Sequence, residues 1–223
     1  MKKNILILIL LAPLLFSCKQ GKESMKDKSE GETLHLVKNG HSKKQLTSSN
    51  DKNIYTKYEY NDSKGASLII QNSFPRGGMK YAGPNGEVYR YAVFWTRIIN
   101  ETDNILELKI NFPINSYEIP SLPGKYFKIL VPPDTMVAEK APLFNYGLTN
   151  LESFLDKNID KSASLKRTIN SKESTGFYVV MLCVIEGAKG TLRTGLSLNE
   201  KNLTYTINGT EIKCGSIVIK KTP

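Results

Sequence analysis

The sequence offers few side chains that could act as a catalytic base or a metal ligand. Both of its histidines, His35 and His41, lie in a polar N-terminal stretch. We expect this stretch to be disordered, and disordered sequence cannot hold catalytic groups within the roughly 0.5 Å that productive geometry requires. No Gly-x-Ser-x-Gly nucleophile elbow and no Gly-rich phosphate loop with a lysine occurs. We therefore predict no cofactor, no metal and no histidine-dependent catalysis.

Carboxylates are the remaining candidates for chemistry, because a pair of carboxyl groups can cleave a glycosidic bond. The reaction needs the two groups about 5 to 10 Å apart, and nothing in the sequence fixes such a separation. A hydrolase of envelope or extracellular polysaccharide is therefore the alternative to a protein without catalytic activity. Its candidate residues are Asp134, Glu139, Glu152 and Asp156.

Residues 156–160 carry oxygen-bearing side chains at alternate positions, as the start of a calcium loop does. Lys161 stands where such a loop requires glycine, and Arg167 stands where it requires a bidentate glutamate. We therefore interpret this stretch as a solvated helix end rather than as a calcium site.

Two of the cysteines, Cys183 and Cys214, lie in apolar segments that resemble strands. In an oxidising compartment they could form a disulfide, provided that their Cα atoms lie within about 7 Å. They could instead be two buried thiols, since a free cysteine behaves as a small apolar side chain. The sequence leaves both alternatives open.

The third cysteine ends the segment Leu15-Phe16-Ser17-Cys18, which closes an apolar run beginning at Ile5. This run follows Lys2 and Lys3 and is shorter than the roughly 20 residues that span a bilayer as a helix. A basic start, a short apolar run and a small residue before the cleavage point are the parts of a secretory signal. The segment resembles the lipobox of bacterial lipoproteins.

The resemblance implies that residues 1–17 are a signal peptide that is removed on export. Cys18 then becomes the N-terminus and carries a diacylglycerol and an N-acyl chain such as palmitate, which anchor the protein to the membrane. Lys19 stands where many lipoproteins retained in the inner membrane have Asp. The resemblance therefore implies the outer membrane, on its periplasmic face or at the cell surface.

Residues 18–56 are polar and contain too few large apolar side chains to offset the entropy of ordering. We predict a lipidated, disordered and flexible tether there, and a β-sandwich domain over residues 57–223. A weak hairpin or an extra edge strand could form at residues 33–37. The net charge of +10 is not gathered into a basic cluster, so nucleic acid is not an expected partner.

Beyond residue 67 the apolar residues mostly recur with a period of two, which is typical of β-strands. Residues 88–99 are apolar on both faces, which indicates a central strand, and we expect them to form a hairpin with residues 106–112. Residues 177–185 are apolar throughout and must be interior. Asn208-Gly209 is a pair that type I′ hairpin turns prefer.

This rhythm predicts an all-β fold, an antiparallel β-sandwich that resembles the immunoglobulin-like domains of exported proteins. One short helix is predicted near residues 150–158, where Leu151 and Leu155 belong to an apolar stripe. Thr149 and Glu152 have the spacing of a capping box at the start of that helix. We expect the helix to close one end of the sandwich.

Five aromatic residues fall in or beside loops rich in proline and glycine. Loops at one end of a sandwich commonly form its recognition surface, and tyrosine provides contact area at a low cost in conformational entropy. The alternative is that these rings fill gaps beneath long loops. The candidate residues are Tyr81, Tyr117, Tyr126, Phe144 and Tyr146.

The sequence thus predicts a lipid-anchored binding or scaffold module without catalytic activity. Its partner would be an envelope protein or a glycan. If the chain is instead the carboxylate hydrolase, substitution of one candidate carboxylate should lower the rate by at least about a hundredfold.

Overall fold

The computed structural model describes residues 37–38, 52–113, 116–119, 122–184 and 191–220. These residues form two antiparallel β-sheets, which confirms the predicted all-β sandwich. They also contain the short helix α1, Leu151–Asn158, and two 3-10 turns at Ala138–Lys140 and Phe144–Gly147. The strands are β1 Val37–Lys38, β2 Ile54–Asn61, β3 Ser67–Ser73, β4 Arg76–Ala82, β5 Val88–Asn100, β6 Leu106–Asn111, β7 Ser116–Ile119, β8 Leu122–Leu130, β9 Ser164–Ile169, β10 Ser174–Val184, β11 Thr194–Asn199, β12 Asn202–Ile207 and β13 Thr210–Ile219.

The large sheet has the order β1-β2-β3-β5-β10-β8-β7, and the small sheet has the order β11-β12-β13-β6-β9. In the large sheet β5 is central, as predicted, because β10 pairs along one of its edges. Its other edge is shared by β3, which pairs with residues 96–100, and β4, which pairs with residues 88–93. The resemblance to immunoglobulin-like domains stays a prediction.

The central strand is apolar on both faces because it lies in the middle of three layers. Phe94 and Ile98 of β5 face the small sheet and belong to the main core. Val93 and Trp95 face the opposite way and pack under residues 136–159, which we call the cover segment. Both faces of β5 are therefore apolar for different reasons: one packs against the small sheet, and the other packs against the cover segment, which forms a third layer.

Helix α1 forms where the apolar stripe predicted it, but its position and its start differ from the predictions. Leu151 and Leu155 are buried against the outer face of the large sheet, so the helix covers that face instead of closing one end. The N-cap residue is Asn150, whose φ of 54° lies in the left-handed region and whose side chain makes no capping hydrogen bond. The predicted capping box from Thr149 is therefore wrong, because the backbone turns sharply one residue later.

The predicted hairpin between β5 and β6 is also wrong, because the chain leaves the large sheet at Asn100 and enters the small one at Leu106. Asn100 is fully buried and fixes this corner. Its Oδ1 accepts hydrogen bonds from the amide and hydroxyl of Thr102 at 3.1 and 2.7 Å. Its Nδ2 donates to the carbonyl oxygens of Asn104 and Asn170 at 2.7 and 3.0 Å.

Other predictions are confirmed. Asn208 and Gly209 have φ angles of 44° and 92°, as a type I′ turn requires, and they join β12 to β13. Strand β10 is interior, with residues 176–182 buried. An edge strand is present at Val37–Lys38, while residues 33–36 of the segment predicted there lie outside the described residues.

The predicted start of the domain differs from the structure, because β2 begins at Ile54 and residue 57 lies inside this strand.

Candidate functional site

The structure divides the five predicted aromatic residues instead of gathering them into one surface. Tyr81 and Tyr146 are buried between the large sheet and the cover segment. Tyr117 is half-buried and stacks on a phenylalanine of β8, with ring centroids 5.5 Å apart. Tyr126 and Phe144 are exposed over 49% and 68% of their surface. The gap-filling alternative therefore holds for Tyr81 and Tyr146.

Phe144 begins a turn, Phe144–Gly147, with an uncommon backbone. Asn145 and Tyr146 have φ angles of 46° and 57°, a left-handed conformation that costs roughly 1–2 kcal/mol per residue with a Cβ. Hydrogen bonds hold the turn in place. The Tyr146 hydroxyl donates to the carbonyl of Phe74 at 2.7 Å, and the Tyr178 hydroxyl donates to the carbonyl of Tyr146 at 2.8 Å.

Arg76 fixes the entry to this turn. Its Nη1 donates to the carbonyl oxygen of Leu143, and its Nη2 donates to Asn53 Oδ1 at 2.8 Å. Its guanidinium carbon lies 4.4 Å from the centroid of the Tyr146 ring, a cation–π contact. Leu143 and Phe144 therefore expose 52% and 68% of their surface, while the backbone that carries them is fixed by hydrogen bonds to buried or half-buried side chains.

A cleft of about 180 Å³ lies between the large sheet and the start of the cover segment. Asn53 joins the cleft to the exposed turn, because the same Arg76 side chain that binds Asn53 also binds the Leu143 carbonyl. The residues that line the cleft are Asn53, Ile54, Gln71, Trp95, Arg97, Met136, Val137, Ala138 and Ala141.

Trp95, which lines the cleft, has a buried hydrogen-bond donor without an acceptor. Trp95 is only 5% exposed and meets the Tyr146 ring edge-on, with centroids 6.2 Å apart. Its Nε1 has no hydrogen-bond partner in the part of the chain that the structure describes. Buried donors are nearly always paired, and an unpaired one costs about 1–3 kcal/mol. Because this nitrogen is itself shielded from solvent, it is an unpaired donor inside the wall of the cleft and not one that a ligand in the cleft contacts.

The cleft also carries positive charge. Arg97 lies opposite Gln71 in the pairing of β5 with β3, so both side chains leave the same face of the sheet. Nε and Nη2 of Arg97 donate to Ser174 Oγ at 3.3 and 3.0 Å, and a neutral hydroxyl does not balance the charge. No acidic residue is among those that line the cleft. The site therefore favours a ligand with negative charge.

Trp95 and Arg97 are two residues apart in the central strand, so the sequence predicts that their side chains lie on one face, but it does not identify a site there. A signal was present, since Arg97 is a charged residue on an otherwise apolar face. The wall of the cleft could not be found in the same way. Met136 and Val137 belong to an irregular segment, and only the folded chain brings them over the sheet.

One of the candidate carboxylates, Asp156, takes part in a structural contact. The Tyr81 hydroxyl donates to Asp156 Oδ1 at 2.7 Å, and burial together with this bond raises the pKa of Tyr81. Asp160, in the stretch 156–160 that resembles the start of a calcium loop, pairs with Lys128 Nζ at 2.8 Å. No three His, Cys, Asp or Glu side chains gather for a metal within the described ranges. The four hydrolase candidates Asp134, Glu139, Glu152 and Asp156 are all exposed.

The two strand cysteines are free thiols, so the disulfide alternative is not the one that the structure has. Cys183 is half-buried in β10, and Cys214 is fully buried in β13. Burial raises the pKa of Cys214 to about 12 and also raises the pKa of Cys183. Neither thiol has the lowered pKa of a reactive nucleophile.

Cys18, His35 and His41 lie outside the described residues, as do the predicted signal peptide and most of the predicted tether. Where the structure does describe the chain, none of its helical segments has the length and apolar character needed to span a bilayer.

No protein-family model, curated protein or solved structure matches the chain. Its function is therefore inferred from its residues and geometry. The exposed turn at Leu143 and Phe144 and the neighbouring cleft with Trp95 and Arg97 are the two features that support the inference.

Proposed function

We propose that the protein is a lipid-anchored binding module without catalytic activity, and that its partner is an envelope polypeptide. The contact surface in this proposal is formed by Val137, Leu143 and Phe144, which we call the apolar surface. One observation carries the proposal: Phe144 exposes 68% of its surface on a turn whose backbone is fixed by its neighbours.

Energetics support this role for the apolar surface. Burying a large apolar side chain is favourable by about 1.5–3 kcal/mol, so Leu143 and Phe144 together provide a strong anchor. Because Arg76 and Tyr146 already hold the turn, little additional backbone entropy is lost when a partner binds. Aromatic anchors of this kind carry much of the binding energy in many protein interfaces.

A polypeptide suits the apolar surface better than a glycan does. Val137 and Leu143 are aliphatic and are exposed over 43% and 52% of their surface. A sugar presents hydroxyl groups, which lose free energy when they are buried against groups that cannot hydrogen-bond. Apolar side chains of a protein partner have no such cost. Glycan binding is therefore the competing outcome of the experiment below.

The membrane anchor in this proposal is Cys18, carried by the lipobox segment. We expect labelled palmitate to be incorporated into the protein in bacterial cells, and we expect the Cys18→Ala variant to lose the label. The variant should also keep its leader, which mass analysis of the N-terminal peptide will detect. Equal labelling of the variant would contradict the anchor at this position.

Cross-linking in intact cells tests the apolar surface. The full chain should recover one recurrent polypeptide partner, and Phe144→Ser should reduce that recovery by about tenfold or more, because the central anchor is lost. Tyr126→Ser is the matched control, since Tyr126 is also an exposed aromatic residue but lies in β8. This control should recover the partner normally.

Two results would overturn the proposed function. If Phe144→Ser and Tyr126→Ser recover the partner equally, the apolar surface is not the contact surface. If purified protein binds an envelope glycan and Phe144→Ser abolishes that binding, the ligand is a glycan and the polypeptide assignment is wrong.

A further inference from the structure

The cleft differs in chemistry from the apolar surface next to it. Arg97 of β5 and Gln71 of β3 bring N–H donors to the cleft. Met136 and Ala141 of the cover segment bring only apolar side-chain atoms. A ligand that matches both groups has acceptor oxygens at one end and a small apolar group at the other.

Arg97 narrows the choice of acceptor. Its bonds to Ser174 Oγ use Nε–H and one Nη2–H, and a guanidinium has five N–H groups. The two Nη1–H groups and the second Nη2–H therefore remain, and they form a fork that matches a planar carboxylate. The apolar groups of Met136 and Ala141 lie in the same cleft. A phosphate has no apolar group that could pack against them, so a carboxylate attached to an apolar group is the better match.

The size of the cleft limits the ligand further. Its volume of about 180 Å³ is below the roughly 300–1,000 Å³ of sites that enclose a drug-sized molecule. A single small residue of a peptide is therefore a better match than a whole cofactor. The apolar surface begins at the rim of the cleft, because Val137 belongs to both. Arg76 provides a second connection, since it binds Asn53 of the cleft and the carbonyl oxygen of Leu143.

We propose that the cleft binds the C-terminal residue of the partner polypeptide, with the terminal carboxylate on Arg97 and Gln71 and a small apolar side chain against Met136 and Ala141. This inference rests on the proposed function, since it assumes a polypeptide partner. The residues that precede the C-terminus then lie along the apolar surface, where they contact Val137, Leu143 and Phe144.

The chain contains a single tryptophan, so intrinsic fluorescence reports on Trp95 and hence on the cleft. The full chain in detergent is titrated with the peptide Ala-Ala-Val bearing a free carboxylate, and with the same peptide capped as an amide. Isobutyrate serves as the small free acid. We expect the free-carboxylate peptide to give a saturable shift in emission. The amide should bind at least about tenfold more weakly because it lacks the carboxylate. Isobutyrate should also bind at least about tenfold more weakly, because it lacks the preceding residues that contact the apolar surface.

Variants test the assignment of the carboxylate. Arg97→Gln should weaken binding of the free-carboxylate peptide at least about tenfold. Arg90→Gln is the matched control on the same strand, because Arg90 donates to a backbone carbonyl, that of Gly78, outside the cleft, and it should bind normally. Val137→Glu places a negative charge at the exposed rim and should also weaken binding, even if Arg97→Gln does not fold.

The outcomes separate this inference from the proposed function. Equal binding of the amide shows that the carboxylate is not recognised, and equal binding of isobutyrate shows a site for small acids instead of a chain terminus. Either result overturns the inference. If no ligand shifts the emission while cross-linking still depends on Phe144, the inference fails and the proposed function stands. If the dependence on Phe144 is also absent, both fail.

Discussion

Asn72 and Leu196 are 124 residues apart in the chain, yet they exchange two hydrogen bonds between the sheets. The Leu196 amide donates to Asn72 Oδ1 at 2.8 Å, and Asn72 Nδ2 donates to the Leu196 carbonyl at 3.0 Å. The side-chain amide thus pairs with the outer edge of β11 as a neighbouring strand would. Tyr60 continues this pairing, because its hydroxyl accepts from the Leu198 amide at 2.8 Å. The edge of the small sheet is therefore closed by side chains of the large one.

Replacing Asn72 by alanine should destabilise the protein strongly. The substitution leaves the amide and the carbonyl of Leu196 buried without partners, and it also removes the acceptor of the Thr96 hydroxyl. We expect the free energy of unfolding in urea to fall by about 2–4 kcal/mol. Gln71→Ala is the control, since Gln71 is the adjacent residue on the opposite face, and it should change stability by about 0.5 kcal/mol or less. Equal losses in both variants would contradict the role of Asn72.

Tyr60 should make stability depend on pH at high pH. Burial raises the pKa of Tyr60 to about 12 from the model-peptide value of 10.0, so the unfolded chain loses this proton at lower pH than the folded one. The contribution is intact below about pH 10 and falls by about 1.4 kcal/mol per unit up to pH 12. Tyr60→Phe removes this dependence and leaves the Leu198 amide without its acceptor, at a cost of about 1–3 kcal/mol at pH 7.

Urea unfolding at pH 7, 10 and 11 checks this prediction. The stability gap between the natural chain and Tyr60→Phe should be widest at pH 7 and should narrow by about 1 kcal/mol between pH 10 and 11, because the unfolded tyrosine is half ionised at pH 10. Tyr55→Phe provides the control, because Tyr55 is a half-buried tyrosine of the same strand. A gap that stays constant with pH would show that Tyr60 ionises in the folded state as it does in the unfolded one.

The confirmed parts of the fold are those that are determined by residues close together in the sequence. Asn208-Gly209 specifies its turn because both residues tolerate positive φ, and the apolar run of β10 specifies an interior strand. The corner at Asn100 could not be predicted in this way, because its hydrogen bonds reach Asn170 in a distant loop. The predicted position of α1 is wrong for the same reason, since an apolar stripe does not specify which surface of the protein the helix packs against.

The candidate site was harder to predict than the fold. Phe144 was singled out from its loop, but Tyr146 two residues later is buried, and no local pattern separates the two. The left-handed backbone at Asn145 and Tyr146 decides which ring turns inward. Neither residue is a glycine, which is the usual sequence signal of a left-handed conformation. Trp95 and Arg97 become a site only when Met136 is packed over the sheet.

The cysteines should react in a fixed order. At pH 7.5 a charged thiol reagent should label Cys183 slowly and leave Cys214 unmodified, because Cys214 is fully buried and its pKa is raised to about 12. Both should react once urea unfolds the chain. Mass mapping without reduction identifies the labelled peptides, and Cys183→Ser should abolish the native labelling. A linked pair of peptides containing Cys183 and Cys214 would restore the disulfide alternative.

Gly176→Ala should open the cleft. The Met136 amide donates to the Gly176 carbonyl at 3.0 Å, and a Cβ on residue 176 would overlap the Met136 carbonyl oxygen. The start of the cover segment must then move away from the sheet, which should lower the free energy of unfolding by about 1–3 kcal/mol. Because Met136 forms part of the wall beside Trp95, the indole should become hydrated and its emission should shift to longer wavelength.

Thr175→Ala is the control for this prediction, since successive side chains of a strand point to opposite faces and this one points away from the cover segment. It should leave the emission of Trp95 unchanged. Peptide binding provides a second measurement, because a displaced wall no longer contacts the apolar side chain of the terminal residue. An unshifted emission in Gly176→Ala would mean that the cover segment tolerates the added methyl group, and that Met136 does not set the width of the cleft.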